Sequence, residues 1–559
     1  MESKNSVRLD GTREPSSTGS IRKENDSEGD FANQSDQFNL QALGYTQELK
    51  RNRSMITLLF QALIISCVPF GIGSPLITCA YGGGQLSLFF GFLVVTAFTQ
   101  CLALSLCELA SRYPTSAGPY YWAFQLAPEK YRTLVSFLNG WVWLIANWTV
   151  CLASHFGITS FLFATVAIYF PEFEASPWQQ LLVLFGILLL SFLSSTFGNR
   201  LLPHVDTFAA LFCAVGILAT LIGVSIKAGV GRHSVRDTLL YYDNTISGWG
   251  NFSFFIGLLP SAWAYSSIGM ISSMAEECDN PTVKLPKAMS LIVPVSAVTG
   301  VCFILPLCAT MPPWRELIDA PYGQALPSVY VKVMDSKDAG FVLTLLILIL
   351  TALSCVSVLT AVSRVTWAFA RDRALPFSRV FSRVNSKTGT PVYATALAAT
   401  IMGLLGIINL GSSAAFTAFI SVGVMGLALS YAVPIAISLW FKRKEVEQAR
   451  WSCGKKLGTF VNLVSLAWVA LELVLFSMPS TLPVTPESMN YAIVVLTGFM
   501  SLSILCDIGF AKPPEDGNEH RRSPPSASPQ PLLSSSEAKC SPPRPGRHPW
   551  TIPRAEEVD

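Results

Sequence analysis

Apolar positions along this chain fall into about twelve long runs, separated by short segments rich in charged residues, proline and glycine. An α-helix needs roughly 20 apolar residues to cross the hydrocarbon core of a bilayer, and runs of this length predict membrane spans. The runs cover residues 55–80, 85–109, 132–168, 179–199, 205–228, 251–275, 288–311, 339–366, 391–410, 413–440, 458–479 and 489–510. The pattern predicts an all-α polytopic membrane protein with about twelve transmembrane helices. The third run is too long for one upright helix, so we expect it to tilt or to start outside the membrane.

The polar ends of the chain contrast with these runs. The segment from Met1 to Leu40 is rich in Ser, Asn, Asp, Glu and Lys, and the segment from about Lys512 to Asp559 is rich in Pro, Ser and Arg. Segments of such composition cannot bury enough apolar surface to fold. We therefore expect a transmembrane core over residues 46–511, flanked by disordered cytoplasmic tails over residues 1–45 and 512–559.

The orientation of the core follows from the basic residues near the span ends. With an internal N-terminus, Lys and Arg near the cytoplasmic span ends outnumber those near the outer ends by more than three to one. An excess of Lys and Arg marks the cytoplasmic side. The outer side receives only Lys227, Arg232, Arg236, Arg315, Lys332 and Lys337. Both termini are therefore predicted to lie inside the cell.

Composition narrows the classes of function. Apolar residues make up 51% of the chain and charged residues 13%, whereas soluble proteins have about 25% charged residues. The net charge of +3 is too small to indicate nucleic-acid binding. The thirteen cysteines form no C-x-x-C pair, so we expect buried thiols, with no metal site and no disulfide framework. The sequence has no H-E-x-x-H, Walker-type or nucleophile motif, which argues against an enzyme, a cofactor and an ATP-driven pump.

The first run is interrupted near its middle. Pro69, Gly71, Gly73 and Pro75 occur within seven residues of the segment Ser66–Pro75. Proline removes a backbone donor and glycine relaxes the chain. In hydrocarbon, each freed amide or carbonyl group costs several kcal/mol unless a partner satisfies it. This break is therefore a candidate binding site, and a proline kink used only for packing is the alternative.

The sixth run contains a second interruption, over Leu259–Gly269, where Pro260 and Gly269 flank a series of small polar residues. Two interrupted helices five spans apart are typical of inverted repeats with a binding site near the membrane midplane. Half-helix N-termini at such a site can face an anionic group. Trp263 and Tyr265 offer aromatic faces to an ammonium group, although ordinary core packing would also explain these two side chains.

Five groups of residues at the span ends together resemble a known family. They are Leu43-Gly44-Tyr45 with Glu48-Leu49-Lys50-Arg51, the segment Glu108–Trp122, Glu276-Glu277-Cys278-Asp279-Asn280-Pro281, Arg371-Asp372-Arg373-Ala374-Leu375-Pro376, and Leu482-Pro483-Val484-Thr485 with Met489-Asn490-Tyr491. With these motifs in order, residues 43–510 resemble the amino acid–polyamine–organocation superfamily. Within it, the chain is similar to the fungal amino acid/choline permeases, which include γ-aminobutyrate and choline carriers.

The resemblance implies a core of ten helices in a five-plus-five inverted repeat, with two further peripheral helices. It places substrate contacts on Phe70, Gly71, Ile72 and Gly73 and on Trp263, Ala264, Tyr265, Ser266 and Ser267. Many members of the family carry Gly-Tyr/Phe-Asp near the sixth break and a His shortly after it. This chain has Ser267-Ile268-Gly269 and Ser273 at those places. Because the usual carboxylate is missing, choline or γ-aminobutyrate cannot simply be carried over as the substrate.

The function implied by the resemblance is secondary active transport by alternating access. The solute would be a small amine such as an amino acid, γ-aminobutyrate, choline or a related cationic metabolite, and protons are the expected coupling ion. A membrane receptor or sensor that binds such a solute without transporting it is the alternative. We expect the plasma membrane as the location, with the vacuolar membrane as the alternative. The substrate, the direction of transport and the oligomeric state stay open.

Ionisable residues at membrane depth are costly and suggest functional roles. Glu108, Glu276, Glu277 and Arg364 lie at predicted cytoplasmic span ends, where they form either an inner gate of ion pairs or ordinary solvated charges at headgroup level. Glu472 in the eleventh run suggests a proton relay. Because the eleventh helix is expected at the periphery, a structural or oligomer-contact role is the favoured interpretation. His155 in the third run could titrate near neutral pH, but a hydrogen-bonded core imidazole is the favoured interpretation.

Overall fold

The computed structural model describes residues 40–411, 413–485 and 489–510, without the side chains of residues 413–420 and 502–510. The regular secondary structure of these residues is helical throughout. Eleven helical segments are long and apolar enough to cross a membrane: Met55–Gly73, Gln85–Arg112, Arg132–Ala167, Pro177–Phe197, Leu202–Lys227, Gly250–Glu277, Pro281–Ala309, Lys337–Arg371, Val392–Leu410, Ser421–Trp440 and Lys455–Ser477. The prediction of an all-α polytopic membrane protein is confirmed.

The twelfth predicted span corresponds to the helix Ala492–Phe510, which is apolar over Ala492–Ser501. The third span, Arg132–Ala167, is one continuous helix of 36 residues. At 1.5 Å per residue its length is about 54 Å, well beyond the roughly 30 Å of hydrocarbon. This helix is therefore too long for one upright span, as the length of the apolar run predicted.

Shorter helices connect the spans. They are Leu76–Tyr81, Pro119–Leu126, Val235–Leu240, Ala325–Met334 and Ser378–Phe381. Helix Pro119–Leu126 follows the second span, and its Tyr121 hydroxyl donates a hydrogen bond to the carbonyl of Leu43 at 2.7 Å. This contact joins the short helix to the segment that precedes the first span.

The two predicted tails lie largely outside the described residues, namely residues 512–559 and residues 1–39 of the tail predicted over 1–45. The last residues of the N-terminal tail are described, and there Leu40, Leu43 and Tyr45 are buried. These three apolar side chains pack into the main hydrophobic core. The packed core therefore begins by residue 40, earlier than the predicted boundary at residue 46.

Spans five positions apart pack against each other: the first with the sixth, the second with the seventh, the third with the eighth and the fourth with the ninth. The first and sixth spans run antiparallel, because the amide of Arg53 donates to the carbonyl of Glu277 at one end while Gly82 meets Gly257 at the other. A two-fold axis in the membrane plane between two inverted repeats generates these pairings. The eleventh span packs on the second and tenth, and the twelfth packs on the tenth.

Candidate functional site

The first span breaks at Cys67. The helix Met55–Ser66 ends there because Cys67 adopts a left-handed backbone with φ of 37°, a conformation that is uncommon for residues other than glycine. A short helix, Val68–Gly73, begins next with Pro69 in its first turn. Proline is tolerated in a first turn but cannot donate to a preceding turn. The predicted break in Ser66–Pro75 is therefore present, and its sharpest point is Cys67.

The sixth span changes its helical geometry at the predicted interruption. The α-helix Leu259–Tyr265 passes directly into a 3₁₀-helix, Ser266–Glu277, of 12 residues. Runs of 3₁₀-helix longer than three or four residues are uncommon, and inside a longer helix they often mark a hinge. The hydrogen-bonding pattern of the sixth span thus changes at Ser266, which lines the same cavity as the break of the first span.

The two breaks touch each other through a glycine. A Cβ atom added to Gly71 would lie 2.9 Å from the Cβ of Ala264 and 3.1 Å from its Cα. Carbon atoms in ordinary contact lie about 3.5–4.0 Å apart, so only glycine allows this approach. Gly71 therefore sets the distance between the first and sixth spans at the point where both are interrupted.

A small cavity, which we call the central cavity, lies between the two breaks. Its lining consists of Ile65, Ser66, Cys67, Phe70, Gly71, Val150, Ser154, Trp263, Ser266, Ser267, Ser354 and Val358. Serine hydroxyls and two aromatic rings dominate this lining, and it contains no charged side chain. Its volume is about 20 Å³, which suits a single water molecule, whereas small-molecule sites span about 300–1,000 Å³. In this conformation the space between the two breaks is therefore too small for a small-molecule solute.

Five of the predicted substrate contacts line the central cavity: Phe70, Gly71, Trp263, Ser266 and Ser267. Phe70 is held by an edge-to-face contact with Phe161, at a centroid distance of 5.9 Å. The Ser266 hydroxyl donates to the Trp263 carbonyl at 2.9 Å. The structure thus brings the predicted aromatic rings and hydroxyls of the two breaks to one place.

The other four predicted contacts, Ile72, Gly73, Ala264 and Tyr265, do not line this cavity. A Cβ on Gly73 would meet Leu326 of helix Ala325–Met334 at 2.5 Å. The Tyr265 ring stacks on Phe92, with centroids 5.8 Å apart, and its hydroxyl pairs with Thr96 at 3.1 Å. Successive helical residues point in different directions, which explains why neighbours of cavity residues face other helices.

Sequence reasoning missed the lining residues contributed by other spans. Ser154 belongs to the third span, and Ser354 and Val358 belong to the eighth. The Ser354 hydroxyl donates to the Ile64 carbonyl at 2.7 Å, which ties the eighth span to the first. The Ser66 hydroxyl, in contrast, has no partner within the described part of the chain. The sequence signal for these lining residues is a serine in the middle of a long apolar run. Serine does not interrupt such a run, so the assignment of spans does not single it out.

A group of charged residues lies at one end of the same two spans. This end of the bundle is predicted to face the cytoplasm, and we call it the inner end. Arg53 contacts Asp206 at 3.1 Å and Glu277 at 3.2 Å, and Arg364 contacts the other oxygen of Glu277 at 2.8 Å. The Asp206 carboxylate also accepts from Ser357 at 2.5 Å. We call Arg53, Asp206, Glu277 and Arg364 the inner network; it joins the segment just before the first span to the fifth, sixth and eighth spans. Its four side chains are at most 2% exposed.

Glu276 forms a separate pair with Arg371, through two contacts of 2.8 and 2.9 Å. The Arg371 guanidinium lies over the rings of Tyr45 and Trp367, at 4.1 and 4.3 Å from their centroids. Arginine favours such combined bidentate and stacked contacts. The segment before the first span is thereby held against the end of the eighth span.

Two phenols reinforce this contact by donating to Asp372, which follows the eighth span. Tyr45 and Tyr120 donate to the Oδ2 atom of Asp372 at 3.1 and 2.7 Å. Burial, followed by the negative charge of Asp372, raises the pKa of both phenols well above the ordinary value. Both hydroxyls therefore keep their protons at physiological pH and remain donors.

Glu108, the fourth predicted gating residue, pairs with Arg443 at 2.7 Å and accepts from the backbone amide of Cys453 at 2.8 Å. The structure therefore separates the four predicted residues into three clusters, with only Glu277 and Arg364 in contact. All four are buried, so none is a solvated headgroup-level charge. Arg53, Asp206, Arg371 and Arg443 complete these clusters and were not predicted as site residues.

His155 and Glu472 differ in their surroundings. The His155 ring nitrogens pair with the Cys151 carbonyl at 2.8 Å and the Ser191 hydroxyl at 3.1 Å, which supports the interpretation of a hydrogen-bonded core imidazole. Glu472 is 5% exposed, and it faces a second small cavity beside Tyr265, Ser266 and Tyr431. Its side chain therefore points into the helix bundle rather than towards an oligomer contact.

Comparison with known proteins adds independent findings. Residues 56–499 match the family model described as amino acid permease. A choline transporter of Saccharomyces cerevisiae is 29% identical over 439 residues, covering 78% of this chain and 77% of that protein. An uncharacterised amino-acid permease of Schizosaccharomyces pombe is 31% identical over 500 residues, covering 87% and 90%. A polyamine transporter of Saccharomyces cerevisiae is 29% identical over 428 residues, covering 74% and 68%. The names of these relatives agree on membrane transport and differ in the substrate.

Proposed function

The chain belongs to the amino acid permease family, and from this premise we propose that it carries a small amine-bearing solute across its membrane by alternating access. The observation that carries the proposal is the central cavity, an uncharged and hydroxyl-lined space between two interrupted spans. Binding sites at such breaks recur in transporters with inverted repeats. The candidate solutes are amino acids, γ-aminobutyrate, choline and related cationic metabolites.

The lining of the central cavity favours a solute that carries both a positive and a negative charge. Trp263 and Phe70 offer aromatic faces to an ammonium group. The hydroxyl of Ser66 is free among described side chains and can donate to a carboxylate. No carboxylate in the lining offsets a lone cation, and burying an unpaired charge is costly. A zwitterionic amino acid therefore fits the cavity better than a simple monovalent cation.

The inner network supplies the element that would open in alternating access. Arg53, two residues before the start of the first span, reaches Asp206 of the fifth, and Glu277 at the end of the sixth reaches Arg364 of the eighth. Each of these contacts joins the inner end of an interrupted span, or the residues just before it, to an uninterrupted span. In the proposed cycle, separation of these pairs lets the inner ends of the first and sixth spans move away and release the solute.

The test is uptake by purified protein in proteoliposomes, with labelled amino acids, γ-aminobutyrate, choline and polyamines competing in turn. We expect saturable accumulation of one class of solute, driven by an inward proton gradient and abolished when that gradient is collapsed. Sodium dependence with indifference to pH would contradict proton coupling. Saturable binding without accumulation would contradict transport and support a receptor or sensor instead.

A further inference from the structure

Glu472 differs from the other buried carboxyl groups within the described spans. Glu108, Asp206, Glu276 and Glu277 each contact an arginine at 2.7–3.1 Å. Glu472 is also buried, at 5% exposure, but it lines a cavity whose other residues include no Lys, Arg or His. A carboxyl group that reaches the membrane interior without a cationic partner must be neutralised, and binding a proton is the direct way to do so.

The cavity beside Glu472 gives a proton a place to be exchanged. Its volume is about 10 Å³, the size that holds one water molecule. The helices that form it are the second span, the sixth, the tenth and the eleventh, and the titratable groups that they turn towards Glu472 are the hydroxyls of Tyr265 and Tyr431. Glu472 also lies five residues before the end of its helix at Ser477, so it is about 7.5 Å along the axis from the predicted outer surface.

This second cavity adjoins the interruption of the sixth span. Ser266, the first residue of the 3₁₀-helix, lines both this cavity and the central cavity. The Tyr431 hydroxyl donates to the Ser266 carbonyl at 3.3 Å, and its ring contacts Gly269 one turn further on. A Cβ on Gly269 would lie 2.5 Å from that ring. Tyr431 is thus packed directly on the segment where the sixth span changes geometry.

We propose that Glu472 is the proton-binding site that couples transport to the proton gradient, a role that rests on the function proposed above. The Glu472 carboxylate takes up one proton from the outer side and becomes a neutral carboxyl group that no longer needs a donor. The Tyr431 hydroxyl then bonds the Ser266 carbonyl, as in this structure. When the proton leaves, the ionised carboxylate accepts the Tyr431 hydroxyl and frees the Ser266 carbonyl. Proton binding thereby controls the hinge of the sixth span beside the solute.

The experiment compares wild-type protein with Glu472→Gln, which keeps the shape of a neutral carboxyl group and cannot exchange a proton. In proteoliposomes, two quantities are measured for the solute found in the uptake screen: exchange without any gradient, and accumulation driven by a proton gradient. We expect Glu472→Gln to retain exchange, to lose accumulation, and to exchange at a rate independent of pH. Glu172→Gln, at an exposed outer loop, is the matched control and should behave as wild type.

A second measurement needs no solute. Infrared difference spectra of the purified protein, recorded as the pH is changed, should contain the carbonyl band of a protonated carboxyl group that is absent from Glu472→Gln. Glu472→Asp should restore a shifted band, and it serves as the test variant if Glu472→Gln does not reach the membrane.

The outcomes separate the two proposals. Proton-driven accumulation by Glu472→Gln, or identical infrared spectra for this variant and wild type, would overturn the role of Glu472. Accumulation driven by sodium and lost in Glu472→Gln would also overturn it, because the carboxylate would then bind a metal cation. Failure of wild-type protein to transport any solute would overturn the proposed function alone, and the infrared band would still decide whether Glu472 binds a proton.

Discussion

The first and sixth spans carry uncharged polar groups at their centre and paired charges at their inner end. At the centre, the breaks at Cys67 and Ser266 surround an uncharged lining of hydroxyls and aromatic rings, with a volume of about 20 Å³. At the inner end, Arg53 and Glu277 are paired ions whose side chains are at most 2% exposed. In the proposed function, the first and sixth spans thus separate two tasks: neutral groups surround the solute, and paired charges close the inner end.

The energies of these two regions differ accordingly. Removing one partner of a buried ion pair costs about 3–5 kcal/mol, since the other charge stays buried without compensation. An aromatic face presented to a cation contributes about 0.5–2 kcal/mol. Closure should therefore respond steeply to single substitutions, while solute affinity should respond gradually. The following variants test that contrast, from the largest expected effect to the smallest.

Glu277→Gln should have the largest effect, because it leaves the guanidinium groups of Arg53 and Arg364 without their shared carboxylate. A cost of about 3–5 kcal/mol corresponds to roughly a hundredfold or larger shift towards open conformations. We expect faster alkylation of Cys67 by an impermeant thiol reagent applied from the inner side. Mass spectrometry of the labelled protein identifies the modified cysteine and gives the rate.

The control for this variant is Glu445→Gln, which removes a partly exposed partner of Arg112. Exposed pairs contribute little, so the Cys67 labelling rate should stay near that of wild type. Equal labelling rates and equal melting temperatures in Glu277→Gln and wild type would show that the inner network does not hold the closed state.

Gly71→Ala should have an intermediate effect, because its methyl group would lie 2.9 Å from the Cβ of Ala264. Overpacking of this kind costs about 1–3 kcal/mol. The initial uptake rate per folded molecule should fall, and a second substitution, Ala264→Gly, should restore it in part, because it removes the 2.9 Å contact and leaves the 3.1 Å contacts with the Ala264 Cα and the Ser66 carbonyl. Gly186→Ala in the fourth span, where no atom lies within 4 Å of the added methyl group, should change nothing. No rescue by Ala264→Gly would refute the close approach as the cause.

Trp263→Ala should have the smallest effect. Loss of one aromatic face weakens solute binding by about 0.5–2 kcal/mol, which is roughly two- to thirtyfold in affinity. Solute affinity is measured per correctly folded molecule, with Trp178→Ala as the control because Trp178 is 56% exposed. A packing role for Trp263 would instead lower the amount of folded protein and leave the affinity normal.

The sequence predicted the spans and both breaks because these depend on local composition. Apolar runs of sufficient length define helices in a bilayer, and the Pro69 and Pro260 interruptions are visible directly. Which residues of a broken segment face the cavity was less predictable, since Ile72 and Gly73 lie next to Phe70 and Gly71 but point elsewhere. Rotation of a short helix about its axis is determined by its packing partners, such as Leu326 for Gly73.

The ion pairs were the least predictable feature. Arg53 and Glu277, or Glu108 and Arg443, are separated by more than 200 residues in the chain. In the sequence, Arg53 and Arg443 indicate only membrane orientation, and Asp206 lies within an apolar run. The packing of the first, fifth, sixth and eighth spans brings the charges of the inner network together. Short-range sequence patterns do not predict which spans pack against each other.

The central claim is that the solute binds between the two breaks. The most direct test is whether the transported solute protects Cys67 from a thiol reagent, because Cys67 lines the central cavity. Cys453, half-buried in a loop at the inner end, is the internal reference. Burial and the nearby charge of Glu108 raise the pKa of Cys453 to about 11, so its labelling speeds up as the pH rises and is best compared at one alkaline pH. We predict that the solute slows labelling of Cys67 with the same half-saturation as uptake and leaves Cys453 unaffected. A solute that saturates uptake without slowing the labelling of Cys67 would contradict a binding site between the two breaks.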